Sequence, residues 1–254
     1  MALDDALTNR IYEELKQEIQ QGLLKPGERL VERTVAEQKR VSRTPVREAF
    51  RRLHYDGLAE YYPRRGIVVA ALSMEEIDEI YLLREALEGM AAREAARRAS
   101  PVALEELQRF MERMERSLSR GQTEEIRSLN SEYHDRIIAL SGMSHLARLV
   151  TQLRDRIEFY RRQSLSLGGR PDRALEEHQL ILRTLGQRDP DLAEAAMRLH
   201  IRRAREAARA FLTSGAGASP EVGRVGSRDP KARRATPAGR PARGGTICSG
   251  RASP

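Results

Sequence analysis

Val41-Ser42-Arg43-Thr44-Pro45-Val46-Arg47-Glu48-Ala49-Phe50-Arg51-Arg52-Leu53 decides how the rest of the chain is read. Thr44 suits an N-cap and Pro45 the first helical position, so the pattern predicts a short helix from Pro45 to about His54. Val46, Ala49, Phe50 and Leu53 recur at helical spacing and form its buried stripe. Arg43 and Arg47 then flank the positive end of the helix dipole, where a cation is disfavoured by a few tenths of a kcal/mol. A purely structural helix would place Glu at position 47 to complete a capping box. Arginines at a helix start make sense when that end meets phosphates or guanine edges, which a guanidinium grips with two parallel hydrogen bonds.

Reading outward, a preceding helix over Glu32 to Gln38 carries Arg33, and a helix from Leu7 to Gln21 repeats Ile11, Leu15 and Ile19 on one face. Downstream, Ala59 to Tyr62 and Ile67 to Ala70 flank the turn Pro63-Arg64-Arg65-Gly66, a hairpin signal. Helix, turn, helix and hairpin make a winged helix-turn-helix, whose second helix enters the major groove by its N-terminal residues. Gly66 at the wing tip lets backbone approach a duplex closely. Between Arg29 and Gly66 stand ten basic and five acidic residues, a local excess that a nearly balanced main body hides. Guanidinium groups folded inward, or locked against carboxylates of their own chain, would contradict this reading.

From Ser73 to about Leu212 the pattern is almost wholly helical. Ser73 and Glu76 form a capping box, and breaks at Ser100-Pro101, Gly121 to Thr123, Ser141-Gly142, Leu167 to Pro171 and Asp189-Pro190 delimit about six helices. The expected fold is mostly α: a winged helix over 1–72 and an all-α bundle of about six helices over 73–213. Residues 214–254 read as a disordered basic tail. That tail carries eight basic and two acidic residues, six of the eight net positive charges of the 254-residue chain. A single cysteine, Cys248, excludes a disulfide framework and a Cys-rich zinc module. No apolar run approaches the roughly 20 residues of a membrane span, and Asp4 and Asp5 stand where a signal peptide would be cationic, so a cytoplasmic protein with no membrane partner is the default.

Three of the five histidines face the expected bundle interior. His134 lies one turn after Asn130, beside the stripe Ile126, Leu129, Tyr133, Ile137; His178 sits among Leu175, Ile181 and Leu182; His200 sits among Ala196, Met197 and Ala204. Spacing alone leaves two readings open, hydrogen-bonded core histidines or a divalent-metal site with positions left for water or an anion. His54 and His145 read as ordinary surface or turn residues.

Leu-Lys-Pro-Gly-Glu-Arg-Leu (24–30), Val-Ser-Arg-Thr-Pro-Val-Arg-Glu-Ala (41–49), Arg-Arg-Leu-x-x-Asp-Gly-Leu (51–58) and Pro-Arg-Arg-Gly-Ile-x-Val (63–69) together resemble the winged helix of GntR-family bacterial transcription regulators. The resemblance implies DNA contact by Arg33, Ser42, Arg43, Thr44 and Arg47, with Arg65 and Gly66 in the wing. Where the family usually has an apolar residue and a glycine between the two helices, this chain has Lys39 and Arg40, whose charge would favour the phosphate backbone.

Leu-Arg-x-x-Leu-Glu-Gly (83–89), Asn-x-x-x-His (130–134), Glu-Glu-His (176–178) and Met-x-x-His (197–200) resemble the ligand-binding FCD domain of the FadR subfamily, with six helices closer to its VanR-like branch. That likeness implies a divalent metal held by Asn130, His134, His178 and His200, zinc first and nickel or manganese as alternatives, with a small carboxylate effector beside it. Arg84 is either an effector contact or a helix-surface partner of Glu88. The whole implies a homodimeric regulator, more commonly a repressor than an activator, reading a palindromic operator in double-stranded DNA. The rival reading is a metal-dependent hydrolase using the His/Asn site, which would need an inward carboxylate as general base; none stands out in the pattern.

Overall fold

A computed structural model describes residues 2–214, so the tail expected over 214–254 lies outside the described residues except for Ser214. The chain begins with α1 (Ala2–Gln21), β1 (Arg29–Leu30), α2 (Glu32–Lys39), α3 (Arg43–Tyr55), β2 (Ala59–Tyr62) and β3 (Gly66–Val69). The strands form one antiparallel sheet in the order β1-β3-β2, with Ala59 opposite Val69 and Tyr62 opposite Gly66. β1 is only two residues long, too short to leave a periodic signal, and it pairs Arg29 with Val68 and Leu30 with Ile67.

The helix at 41–53 starts earlier than its sequence suggests. Ser42, not Thr44, is the N-cap residue, extended at φ −71°, ψ 165°, and its side chain makes no capping bond. Pro45 thereby falls in the first turn rather than at its first position, still harmless because the first four amides of a helix have no intrahelical acceptor. Val46, Ala49, Phe50 and Leu53 are fully or almost fully buried against Ile11, Leu15 and Ile19 of α1. At roughly 1.5–3 kcal/mol per large apolar side chain, this stripe anchors α3 and leaves its opposite face to solvent.

Six helices follow: α4 (Met74–Arg98), α5 (Pro101–Ser119), α6 (Thr123–Leu140), α7 (Ser144–Ser164), α8 (Arg170–Gly186) and α9 (Pro190–Thr213). The Ser73 capping box is complete, Ser100 caps α5, and Asp189 accepts from the amides of Asp191 and Leu192 at the start of α9. α4 and α9 pack along much of their lengths. Their shared surface is rich in alanine, with Ala92, Ala95 and Ala96 on one helix and Ala193 and Ala196 on the other.

α7 carries the contacts to the winged helix. Asp155 accepts from Lys16 Nζ and, at 3.1 Å, from Gln20 Nε2, both on α1. Phe159 covers Gly22 and Arg156 covers Gly57, two glycines at positive φ just beyond the ends of α1 and α3. A Cβ at either would meet the α7 side chain at 2.8 or 2.9 Å. Within the bundle, Tyr160 of α7 accepts from the amide of Leu72, where the wing runs into α4.

Candidate nucleic-acid interface and metal centre

Arg33, Ser42, Arg43, Thr44, Arg47 and Arg65 are all exposed, at the start of α2, around the start of α3 and at the wing turn; Gly66 is half-buried at φ +79°. Arg40, between α2 and α3, sits in the left-handed region at φ 54°, ψ 47°, and Arg64 in the wing turn at φ 69°. A non-glycine residue there carries about 1 kcal/mol of strain. Neither Arg40, Arg64 nor Arg65 has a carboxylate partner among the described residues.

Two expectations need correction. Lys39 does not face a backbone-binding surface with its charge free: its ammonium is paired with Glu14 at 2.9 Å and Glu18 at 2.6 Å, both on α1. Nor are the arginines at the start of α3 free of carboxylates. Glu32 accepts from Arg47 Nε, Arg47 Nη2 and Arg43 Nη2, each at 3.0 Å. The hydrogen bonds from Arg47 and Arg43 hold the Glu32 carboxyl below its ordinary range, against the opposing effect of burial. One carboxylate cannot neutralise two guanidiniums, and both remain largely exposed, with 62% and 49% of their side-chain surface open. The arginines are tied by one edge; they are not hidden.

In the bundle, α6, α8 and α9 bring His134, His178 and His200 together, all buried. His134 Nε2 lies 3.0 Å from His200 Nε2 and 3.3 Å from His178 Nε2, and one donor nitrogen of each ring lies within 4.8 Å of the others. Two of the opposite nitrogens are fixed from behind, while His178 Nδ1 has no hydrogen-bond partner among the described residues. His134 Nδ1 is 2.8 Å from Glu88 Oε2, and His200 Nδ1 is 2.7 Å from Glu177 Oε2. Arg84 Nε binds the other oxygen of Glu88 at 2.7 Å, and Arg170 Nη2 binds Glu177 at 3.0 Å.

Charge assigns the tautomers. Burial of Glu88 would raise its pKa, but the Arg84 charge and the His134 hydrogen bond hold it well below the usual carboxylate range. Glu177 is lowered in the same way, its burial outweighed by His200 and Arg170. Burial pushes His134 down to about 3, and lowers His178 and His200 as well, so all three rings are neutral at neutral pH. A neutral ring donating from Nδ1 to a carboxylate presents a lone pair at Nε2. Two such lone pairs facing at 3.0 Å repel unless a cation lies between them. Cis nitrogen ligands about 2.1 Å from a metal stand roughly 3.0–3.4 Å apart, so the donor set fits a divalent ion.

Asn130, also buried, shares with His178 the lining of a cavity of about 10 Å3. Arg84 pairs with Glu88, but in the interior, not on the helix surface: its side chain is 2% exposed. Gly89, next along α4, leaves room for the Arg198 stem of α9, which a Cβ would meet at 2.8 Å.

Family models and known proteins match the same two regions. Residues 7–69 match the model for bacterial regulatory proteins of the gntR family, and residues 79–203 the FCD domain. The HTH-type transcriptional regulator YdhC of Bacillus subtilis is 32% identical over 192 residues, covering 75% of this chain and 86% of that one. The chain belongs to the GntR family. The HTH-type transcriptional repressor RspR of Escherichia coli is 28% identical over 203 residues, 80% of this chain and 89% of that one. The solved structure of E. coli McbR/YncC superposes with a TM-score of 0.68 at 29% identity, over 83% of this chain and 98% of that one.

A GntR regulator with an FCD domain is a DNA-binding transcription regulator and not an enzyme, so the hydrolase reading falls. The geometry agrees, though not for the reason the sequence suggests. Inward carboxylates are present, Glu88 and Glu177, but each is already bound to a histidine ring and an arginine. The sequence reading missed both. The pattern marks Glu88 only as a partner of Arg84 one turn on and Glu177 only as the neighbour of His178, with no sign that either lies inward. Among the described residues no helix is long and apolar enough to cross a membrane.

Proposed function

We propose that this regulator binds its operator as a homodimer and that a small organic acid, bound in the bundle beside a divalent metal, controls operator affinity. The observation that carries the reading is the convergence of imidazole lone pairs backed by Glu88 and Glu177. His134, His178 and His200 would hold the ion, with Asn130 as an oxygen donor and zinc ahead of nickel or manganese. A bound divalent ion supplies Lewis-acid anchorage for a carboxylate. Arg84 Nη1, Arg170 Nη1 and Tyr81 Oη are buried without a hydrogen-bond partner among the described residues, donors that suit an anionic effector. Arg84 keeps Nη1 for this while Nε stays on Glu88.

Arg33, Ser42, Arg43, Thr44, Arg47, Arg65 and Gly66 are assigned to DNA, and a two-fold protein reads a two-fold operator. The winged helix is taken as residues 1–72 and the effector domain as 73–213, a six-helix count that favours the VanR-like branch. Repression relieved by the effector, in the cytoplasm, is the arrangement proposed. An effector shifts operator affinity only by the difference in its own affinity for the two states. α7 supports a route for that shift, since it bears Arg161, which binds Ser131 beside Asn130, and Asp155, which binds α1.

Elemental analysis of the purified chain and of His178→Ala/His200→Ala tests the metal. Stoichiometric metal in the first and little in the second is expected; equal content would rule the site out. Fluorescence anisotropy on a duplex enriched from a random pool, with a panel of organic acids, with and without chelator, tests the effector. A metal-dependent change with one acid class is expected, and no response to any acid or to chelator would overturn effector control.

A further inference from the structure

Glu32 is the only acidic residue in the first turn of α2, where an acid commonly serves its own helix. Here both its oxygens are spent elsewhere, on Arg43 and Arg47 at the start of α3. Other ion pairs among the basic residues of the module are made differently. Arg33 meets Glu37 within α2 at 3.6 Å, Arg51 meets Glu48 within α3, and Lys39 is held by α1. Glu32 crosses from one helix of the helix-turn-helix to the two arginines that begin the next.

The pairing leaves the arginines able to read. A guanidinium has five N–H donors. Arg47 gives two to Glu32 and Arg43 gives one, so Arg47 keeps three and Arg43 four. Because Arg47 is gripped through Nε and Nη2 together, its plane is fixed and its remaining edge is presented in one orientation. Free arginines on an exposed helix end would instead turn towards whichever phosphate lay nearest, binding any duplex.

We propose that Glu32 is a specificity-determining residue: it orients Arg43 and Arg47 for base edges and withholds part of their charge from the phosphate backbone. This rests on the assignment of those arginines to DNA. The pair stays formed on the operator, and its effect is on discrimination between sequences more than on affinity.

The test uses the full chain and two duplexes, one enriched from a random pool by the wild type and one scrambled duplex of equal length. Glu32→Gln should bind the scrambled duplex more tightly and the enriched one no better, cutting the affinity ratio about tenfold, the order of one bidentate base contact. The salt dependence on scrambled DNA should steepen by about 0.9 as a released guanidinium engages a phosphate. Glu32→Asp keeps the charge and withdraws the carboxylate by one methylene; it should retain the wild-type salt slope and still lose discrimination. Either variant with an unchanged ratio overturns the proposal, whether both affinities rise together, as for a simple competitor of DNA, or fall together with the melting temperature, as for a structural residue. A wild-type chain that enriches no sequence overturns the DNA assignment itself, and this proposal with it.

Discussion

Glu88→Gln separates the two tasks of the buried carboxylate behind His134. Glu88 is fully buried, bound to Arg84 Nε at 2.7 Å and His134 Nδ1 at 2.8 Å. Removing its charge leaves a guanidinium that is 2% exposed without a counter-ion. Stranding one partner of a buried pair costs about 3–5 kcal/mol. In a chain of this size that lowers the melting temperature by roughly 6–20 °C. The new amide can also donate to Nδ1, which moves the ring proton to Nε2 and removes the lone pair, weakening metal binding about 10- to 100-fold. Circular-dichroism melting of metal-free protein reads the first effect and a metal titration the second. Arg84→Met/Glu88→Leu should recover most of the stability, since apolar residues replace a buried pair at little cost, and yet leave metal affinity low. Glu88→Gln that melts within about 3 °C of wild type and binds metal equally would refute the reasoning.

Two further outcomes follow from the strained Arg40 and from the neutral buried histidines. Arg40→Gly relieves about 1 kcal/mol of left-handed strain, offset by a similar loss to backbone entropy, so melting should change little. The salt dependence of DNA binding should flatten by about 0.9, and an unchanged slope would mean that Arg40 does not meet a phosphate. For the pH dependence, burial sets the folded pKa of His134 at about 3 against 6.5 when unfolded, so below pH 6.5 the unfolded chain binds the extra proton and stability falls. His134 alone costs about 2 kcal/mol at pH 5, with His178 and His200 shifted in the same direction, so metal-free protein should melt several degrees lower at pH 5 than at 7.5. A flat profile between those values would contradict neutral buried rings.

The winged helix and the six helices were legible because their signals are local. Pro45, Gly66, the Ser73 capping box and the Pro101 and Pro190 starts punctuate strong apolar periods. The inward aim of His134, His178 and His200 followed from the same periods. Partners brought together by folding were not legible. Lys39 reads as a free charge until α1 places Glu14 and Glu18 beside it. Glu32 reads as a helix-start acid until α3 crosses it. Glu88 and Glu177 look like surface carboxylates of helices that are in fact buried on that side. The helix start falls two residues before the Thr44 that the sequence suggests, at Ser42, whose side chain makes no capping bond.

Arg47→Ala tests the central claim most directly, that guanidinium groups at the start of α3 read DNA. Anisotropy titration against the duplex enriched by the wild type, run beside a circular-dichroism melt and a metal assay on the same preparation, should show operator binding lost while the bundle melts and loads metal as before. Undiminished operator binding by Arg47→Ala would contradict the account.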